Sequence, residues 1–362
     1  MTPSAQPTGP GARAGPPVPW PLGAVAEPFY RAGLAFRNAR FDRGRGVVRV
    51  PAPVISVGNL SLGGTGKTPA VAWLMRSLVQ RGRPVAIAMR GYTHSPDGRS
   101  DEADEYQREF PSTPVLVNPD RAGAIRSHLL ANPGAPVPCV VLDDGFQHRR
   151  LHRDLDIVLI DATRSPFHDR LFPAGWLREP PSALRRAHAI IITHAEAAAP
   201  AAVGELRSGL QHLAPAALLA VARHDWAGLL GHDDQPVPME SIVGRAVVAA
   251  CAIGNPGPFL RQLRRAADVR GELVLPDHDP FAPPTLDRLA RLAEAHGAQA
   301  IIVTNKDWSK LRHLPPGRWP CPVLRPRLEL RFDAGEQALA ERALSVAGAA
   351  MGPGPSPTLH PA

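Results

Sequence analysis

The sequence predicts an α/β fold: a doubly wound parallel sheet followed by a second, smaller α/β domain. Three observations carry this reading. First, "PVISV" at 53–57, a glycine-rich loop, and apolar residues at helical spacing (Val71, Leu74, Met75, Leu78, Val79) give strand, loop and helix in succession. Second, strand-like apolar runs then alternate with helical stretches as far as residue 214. Third, the alternation restarts at "RAVVAACAIGNPGPFLRQLRRA" after a break. A chain of 362 residues is long enough for two such domains.

Taken in order, residues 1–18 are rich in Pro, Gly, Ala and Thr and bury too little apolar surface to offset ordering entropy, so they read as a disordered tail. The same composition near the other end assigns a second tail to 346–362. Residues 19–45 hold a helix in "AEPFYRAGLAFRNARFDRGRG", which Pro28 can begin. Its aromatics and arginines suit either a membrane interface or a surface helix packed on the main domain.

Residues 46–218 form the core domain. After the opening strand, loop and helix come strands in "PVAIAMRGY", "TPVLVN", "VPCVVLDDGFQH", "LDIVLIDAT" and "AHAIIITHAE", with helices in "DRAGAIRSHLLAN" and "AAVGELRSGLQHL". The acidic run "SDEADE" (100–105) lies between two of the strands. "HDWAGLLGHDDQPVPMES" reads as a hinge into the smaller domain, 219–345, where "RGELVLPDHDPF" and "AQAIIVTNKDW" are strands and "PTLDRLARLAEAHG" a helix.

Composition narrows the function classes. Cys139, Cys251 and Cys321 lie far apart, which supports neither a zinc knuckle nor a disulfide framework. The net charge of +8 points to an anionic partner: nucleic acid, a phosphorylated ligand or an acidic membrane face. No apolar run reaches spanning length, and the N-terminus lacks the pattern of a signal peptide.

The loop "VGNLSLGGTGKTP" (57–69) departs from G-x-x-x-x-G-K-[ST] only at Ser61, where the pattern has its first glycine. Gly63, Gly64 and Gly66 remain, with Thr65 between them, and allow backbone N–H groups to converge on phosphate oxygens. The following helix N-terminus, Lys67 and the Thr68 hydroxyl complete a site for a nucleotide and Mg²⁺. The domain is therefore P-loop NTPase-like. An acidic partner is needed at a neighbouring strand end. Asp143 and Asp144 fit, because adjacent carboxylates call for a cation. Asp161 is the competitor, or a residue that caps its own turn.

"TNKDW" at 304–308 lacks the spacing of a guanine-reading N-K-x-D. A kinase needs a group to act on the acceptor hydroxyl and cations for the transferring phosphoryl. Asp101 and Glu102 are candidates for the first, Arg178 and His148 for the second; each also reads as an ordinary surface charge.

Together, "PVISVGNLSLGGTGKTP", "RGY" (90–92), "SDEA" (100–103), "NPDR" (118–121), "LDDGFQHRRLHRDLDIVLIDA" (142–162) and "LFPAGWLREP" (171–180) resemble the tetraacyldisaccharide 4'-kinase (lipid A 4'-kinase) family, with weaker matches at "PDHDPF" and "TNKDWSKL". That family tolerates a hydroxyl residue at the Ser61 position. The resemblance implies phosphorylation of the 4'-hydroxyl of a tetraacyldisaccharide 1-phosphate lipid, with ATP and Mg²⁺, by an enzyme held on the cytoplasmic face of the inner membrane through its N-terminal helix. It implies no nucleic acid and no obligate protein partner.

By position, it gives Lys67 and Thr68 to ATP phosphates and Mg²⁺, and Asp143 and Asp144 to the metal side. Asp101 would act on the acceptor hydroxyl with His278, Arg178 and Glu179 would line the transfer site, and Glu102, Gln147 and His148 would contact substrate. The chain departs from the family at Ser100, Ala103, Asp279 and Asn305, which touches mainly the second domain. The competing expectation is a P-loop NTPase acting as a switch or metal-insertion chaperone, which needs no lipid.

Overall fold

Strand β1 (Val54–Asn59) is buried at every residue, as expected of a strand covered on both faces. In the computed structural model, which describes residues 16–91, 101–254, 256–277 and 279–349, the chain divides into two compact units. Of the described residues, the first unit comprises Pro16–His224 and 330–349, and the second comprises those between Asp225 and Glu329.

The first unit begins with α1 (Leu22–Asp42), then β1, α2 (Lys67–Val79), β2 (Val85–Met89), α3 (Asp101–Glu109) and β3 (Val115–Val117). It continues with α4 (Arg121–Ala131), β4 (Cys139–Asp143), β5 (Leu155–Asp161), β6 (Ala189–Thr193), α5 (Pro200–Leu213) and the start of β7 (Leu218–Leu230). The strands lie in the order β7-β6-β5-β1-β4-β2-β3, all parallel. Ligands of such sheets gather at the carboxyl ends of strands where the order reverses. Here β4 and β5 flank β1, and Val57 pairs with Asp143. The glycine loop and the Asp143–Asp144 pair therefore leave the same edge from adjacent strands.

Helix α2 buries Val71, Leu74, Met75 and Leu78 against Ile55, Val57, Ile87 and Val141 on one face of the sheet. On the other face, Leu206 and Leu210 of α5 pack with Val158, Ile160, Ile190 and Ile192.

The second unit contains the rest of β7, β8 (Pro236–Val237), β9 (Ala246–Cys251), α6 (Gly257–Ala266), β10 (Asp268–Val274), α7 (Pro283–Ala295), β11 (Ala300–Val303), α8 (Asn305–Leu311) and most of β12 (Val323–Ala334). Its parallel strands run β10-β9-β11-β12.

Four elements differ from the sequence reading. The stretch read as a hinge is largely strand, because β7 extends to Leu230 and then pairs with β8 in a hairpin. The chain after Glu329, expected in the smaller domain, belongs to the first unit. There α9 (Glu336–Gly348) packs on α2: Trp73 Nε1 donates to Glu336 Oε1 at 2.9 Å, and the Trp73 ring lies 4.7 Å from Phe332. Helix α9 also takes in residues 346–348, assigned to the tail. Finally, α1 starts at Leu22, so Pro28 lies inside it; Gly23, in its first turn, lies so close to Pro173 and Ala174 that a Cβ there would crowd their backbone. Among the described residues, no helix is long and apolar enough to cross a membrane.

Candidate active site

The phosphate loop is organised by the last residue of β1. Asn59 is fully buried. Its Nδ2 donates to the Ser61 carbonyl and to Thr65 Oγ1, both at 2.9 Å, and its Oδ1 accepts from Lys67 Nζ at 3.4 Å. Thr193, at the end of β6, donates through Oγ1 to the Thr65 carbonyl at 3.0 Å. Gly63 and Gly66 take left-handed φ values of 107° and 81°, which explains glycine there. Ser61 does not. It bridges Leu177 in an antiparallel contact, flanked by hydrogen bonds from Leu62 N–H to the Trp176 carbonyl and from Arg178 N–H to the Leu60 carbonyl, each 2.7 Å. A position held in extended pairing has no need of glycine, so the departure from the standard pattern is conformationally neutral.

That same pairing delivers Arg178. Its Nη1 donates to Asp144 Oδ2 at 2.8 Å and Oδ1 at 3.1 Å, and Lys67 Nζ lies 3.5 Å from Asp144 Oδ1. Burial would raise the Asp144 carboxyl, but Lys67 and then Arg178 outweigh it and hold its pKa below the usual range. Asp143 is in the opposite state. It is 5% exposed, and burial, opposed by Lys67 and reinforced by the Asp144 charge, pushes its pKa up. Tyr106 of α3 donates to Asp143 Oδ2 at 3.1 Å, while Oδ1 is buried and has no hydrogen-bond partner among the described residues.

A buried carboxylate oxygen without a donor is costly unless a cation or protein donor meets it. With Asp144 beside it and Thr68 on the first turn of α2, this oxygen-rich set fits Mg²⁺. Asp161, the rival acidic residue, instead accepts from Thr163 N–H at 2.9 Å and Thr163 Oγ1 at 2.7 Å, so it closes its own turn.

Gln147 is fixed between loop and cation: its Nε2 donates to the Asn59 carbonyl at 2.8 Å and its Oε1 accepts from Arg178 Nη1 at 3.4 Å. Burial, with Arg121, Arg153 and Arg150 close by, pushes His148 down to about 4, so it is neutral at physiological pH. Glu179 faces away from Asp144. Fully buried, it accepts through Oε2 from Asn38 of α1 at 3.1 Å and from Arg186 at 3.0 Å. Neighbours in an extended segment point to opposite sides, which separates Arg178 from Glu179.

Glu102 is exposed on the first turn of α3. The Asp101 side chain and His278 lie outside the described residues. Asn59, Tyr106 and Arg121, which donates to the Asp144 carbonyl at 3.2 Å, were not singled out from sequence. Their signal is weak: each is a polar residue that matters only because of what it meets in space.

In the second unit, the two weaker motif stretches meet each other. Lys306 pairs with Asp277 at 2.8 Å, and Lys310 Nζ donates to the Asp279 carbonyl at 2.7 Å. Asp307 is fully buried, accepting from Ala252 N–H at 2.9 Å and Thr304 Oγ1 at 2.6 Å. It serves as a structural anchor at the start of α8, so "NKDW" is helical rather than strand.

The arrangement of glycine loop, Lys67, an acidic pair and Arg178 is that of a phosphoryl-handling site. Residues 20–345 match the family described as tetraacyldisaccharide-1-P 4'-kinase. The chain belongs to this family. A tetraacyldisaccharide 4'-kinase of Anaeromyxobacter dehalogenans (strain 2CP-C) is 39% identical over 319 residues, covering 81% of this chain and 83% of the relative. One from Geobacter metallireducens is 37% identical, covering 80% and 88%. The crystal structure of the Aquifex aeolicus family member in complex with ATP superposes with a TM-score of 0.68 at 28% identity, over 89% of this chain and 98% of that one. Family and fold favour a kinase over a nucleotide switch or metal-insertion chaperone.

Proposed function

We propose that the chain transfers the γ-phosphate of ATP to the 4'-hydroxyl of a tetraacyldisaccharide 1-phosphate, a step of lipid A biosynthesis, at the cytoplasmic face of the inner membrane. The observation that carries this reading is the meeting of Lys67, Arg178 and the Asp143–Asp144 pair at the carboxyl ends of β1 and β4.

The residues divide the work by charge. Backbone N–H groups of Gly63 to Gly66 and the first turn of α2 receive ATP phosphates, and Lys67 adds a full positive charge. Asp143, Asp144 and Thr68 would hold Mg²⁺, which would supply positive charge to the transferring phosphoryl group. Arg178 faces the transferring phosphoryl while orienting Asp144.

Asp101, the first residue of α3, takes the proton of the acceptor hydroxyl. It stands five residues before Tyr106, whose hydroxyl contacts Asp143, so about 7.5 Å of helix separates the two positions. Glu102, Gln147 and His148 contact the sugar phosphate. Glu179 positions rather than reacts: it fixes α1 beneath Arg178.

Helix α1 supports membrane attachment. Leu22, Val25, Phe29 and Phe36 are exposed at helical spacing on one face, Phe29 and Phe36 at 77% and 79%, with Trp20 just before it. Arg40 is also exposed, and such a stem reaches anionic headgroups. The other face is tied down: Glu27 pairs with Arg31 and Arg170, and the Tyr30 hydroxyl donates to the Arg178 carbonyl at 3.0 Å. The same helix thus touches both the bilayer and the backbone that carries Arg178.

The test is the structure of the product. Purified protein, ATP, Mg²⁺ and tetraacyldisaccharide 1-phosphate in detergent micelles should yield a bisphosphate whose new phosphomonoester ³¹P NMR places on the 4' oxygen. A new phosphate at another oxygen, or none on the lipid, would contradict the assignment.

A further inference from the structure

Behind the phosphate loop lies a second cluster that the kinase chemistry does not use. β6 ends at Thr193, and the next residue, His194, takes a left-handed φ of 56°. Glu196 follows in a single 3-10 turn, and β7 brings in His224. One ligand atom each from His194, Glu196 and His224 lies within 4.8 Å of the other two. The imidazole rings stack with centroids 4.1 Å apart. Glu196 Oε1 is 3.4 Å from His194 Nδ1, and Glu196 Oε2 accepts from the His224 backbone N–H at 3.1 Å. His224 is 8% exposed, yet neither ring nitrogen has a hydrogen-bond partner among the described residues.

An imidazole buried without a partner is a polar group whose desolvation is uncompensated. A late first-row divalent cation compensates it, and two imidazoles with one carboxylate form a donor set for Zn²⁺ rather than for Mg²⁺. The geometry points to a Zn²⁺ site formed by His194, Glu196 and His224, separate from the Asp143–Asp144 pair. Glu196 is exposed, which leaves the cluster open to solvent on one side for metal entry and a water ligand. The site adjoins the loop: a side chain built at Gly66 would collide with His224 Nε2, and the Thr65 carbonyl is already held by Thr193. A bound ion therefore braces the end of β6 and the middle of β7 directly against Thr65 and Gly66.

The test uses tag-free full-length protein, stripped of metal, dialysed against Zn²⁺ without ATP or Mg²⁺, and measured by elemental analysis. His224 is left intact because it packs on Gly66. His194→Gln and Glu196→Gln change exposed or half-buried groups, and circular dichroism checks their fold. The wild type should take up one Zn²⁺ per chain, and each variant should bind roughly tenfold or more weakly. His212→Gln, at a histidine on α5 whose Nδ1 faces the Ser208 carbonyl, should bind as the wild type does. Bound Co²⁺ should give the visible absorption of a low-coordinate site in the wild type and lose it in both variants. No stoichiometric uptake, or uptake unchanged in His194→Gln and Glu196→Gln, overturns the assignment.

Discussion

One guanidinium nitrogen of Arg178, Nη1, donates to both carboxylate oxygens of Asp144, at 2.8 and 3.1 Å. The contact sets Asp144 between two cations, Lys67 and Arg178, next to the buried carboxylate of Asp143. Arg178→Ala should lower kcat by about 10²- to 10³-fold, the scale of losing one preorganised charged donor. ATP affinity should change much less. Arg178→Lys should restore part of the loss, because Nη1 alone makes the contacts to Asp144 and Gln147 and a lysine ammonium also carries three donors. Steady-state kinetics of the three proteins check this; a large rise in KM for ATP at constant kcat is the opposing result.

Asn59 is the internal tie of the loop. Asn59→Ala leaves the Thr65 hydroxyl and the Ser61 carbonyl without their donor, inside the protein. It should cost on the order of 1–3 kcal/mol of stability and weaken ATP binding by roughly tenfold as the loop loosens. Asn59→Asp should not rescue it, since a carboxylate cannot donate. Urea unfolding and calorimetric titration with ATP measure the two effects.

The opening strand, loop and first helix were legible because their signals are local: an apolar run, clustered glycines, a 3.6-residue repeat. The acidic pair was legible because adjacent aspartates at a strand end are hard to explain otherwise. Partnerships distant in sequence were not. Glu179 binds Asn38 across 141 positions, so its position beside Arg178 suggested the wrong surroundings. The return of α9 to α2 rests on Trp73 meeting Glu336, 263 positions away. β7 was missed because its polar residues Arg223, His224 and Asp225 interrupt the apolar pattern.

The apolar stripe of α1 predicts a separable function. Phe29→Asp with Phe36→Asp changes two side chains that are more than three-quarters exposed, so the thermal midpoint should stay constant. Sedimentation with vesicles containing anionic lipid should fall by about tenfold or more, since each buried aromatic contributes roughly 1.5–3 kcal/mol. Loss of folding with no change in vesicle binding would assign the stripe to internal packing.

His148 predicts a pH dependence of stability. Its pKa falls from the ordinary 6.5 to about 4 on folding, through burial and the neighbouring arginines. Between these values the unfolded chain takes up a proton that the folded chain does not. Its contribution is therefore complete above 6.5 and is lost as pH falls toward about 4. Because the ring is partly solvated, the loss should be on the order of 1 kcal/mol, below the full linkage value. His148→Gln should flatten that part of the curve, which urea unfolding across this range measures.

The most direct test of the central claim is transfer of labelled γ-phosphate from ATP to tetraacyldisaccharide 1-phosphate in mixed micelles with Mg²⁺, with Lys67→Ala run alongside. Labelled lipid should form with the wild type and none above background with the variant. Lys67-dependent release of free phosphate with no label on the lipid would contradict it, and would leave a nucleotide hydrolase with another purpose.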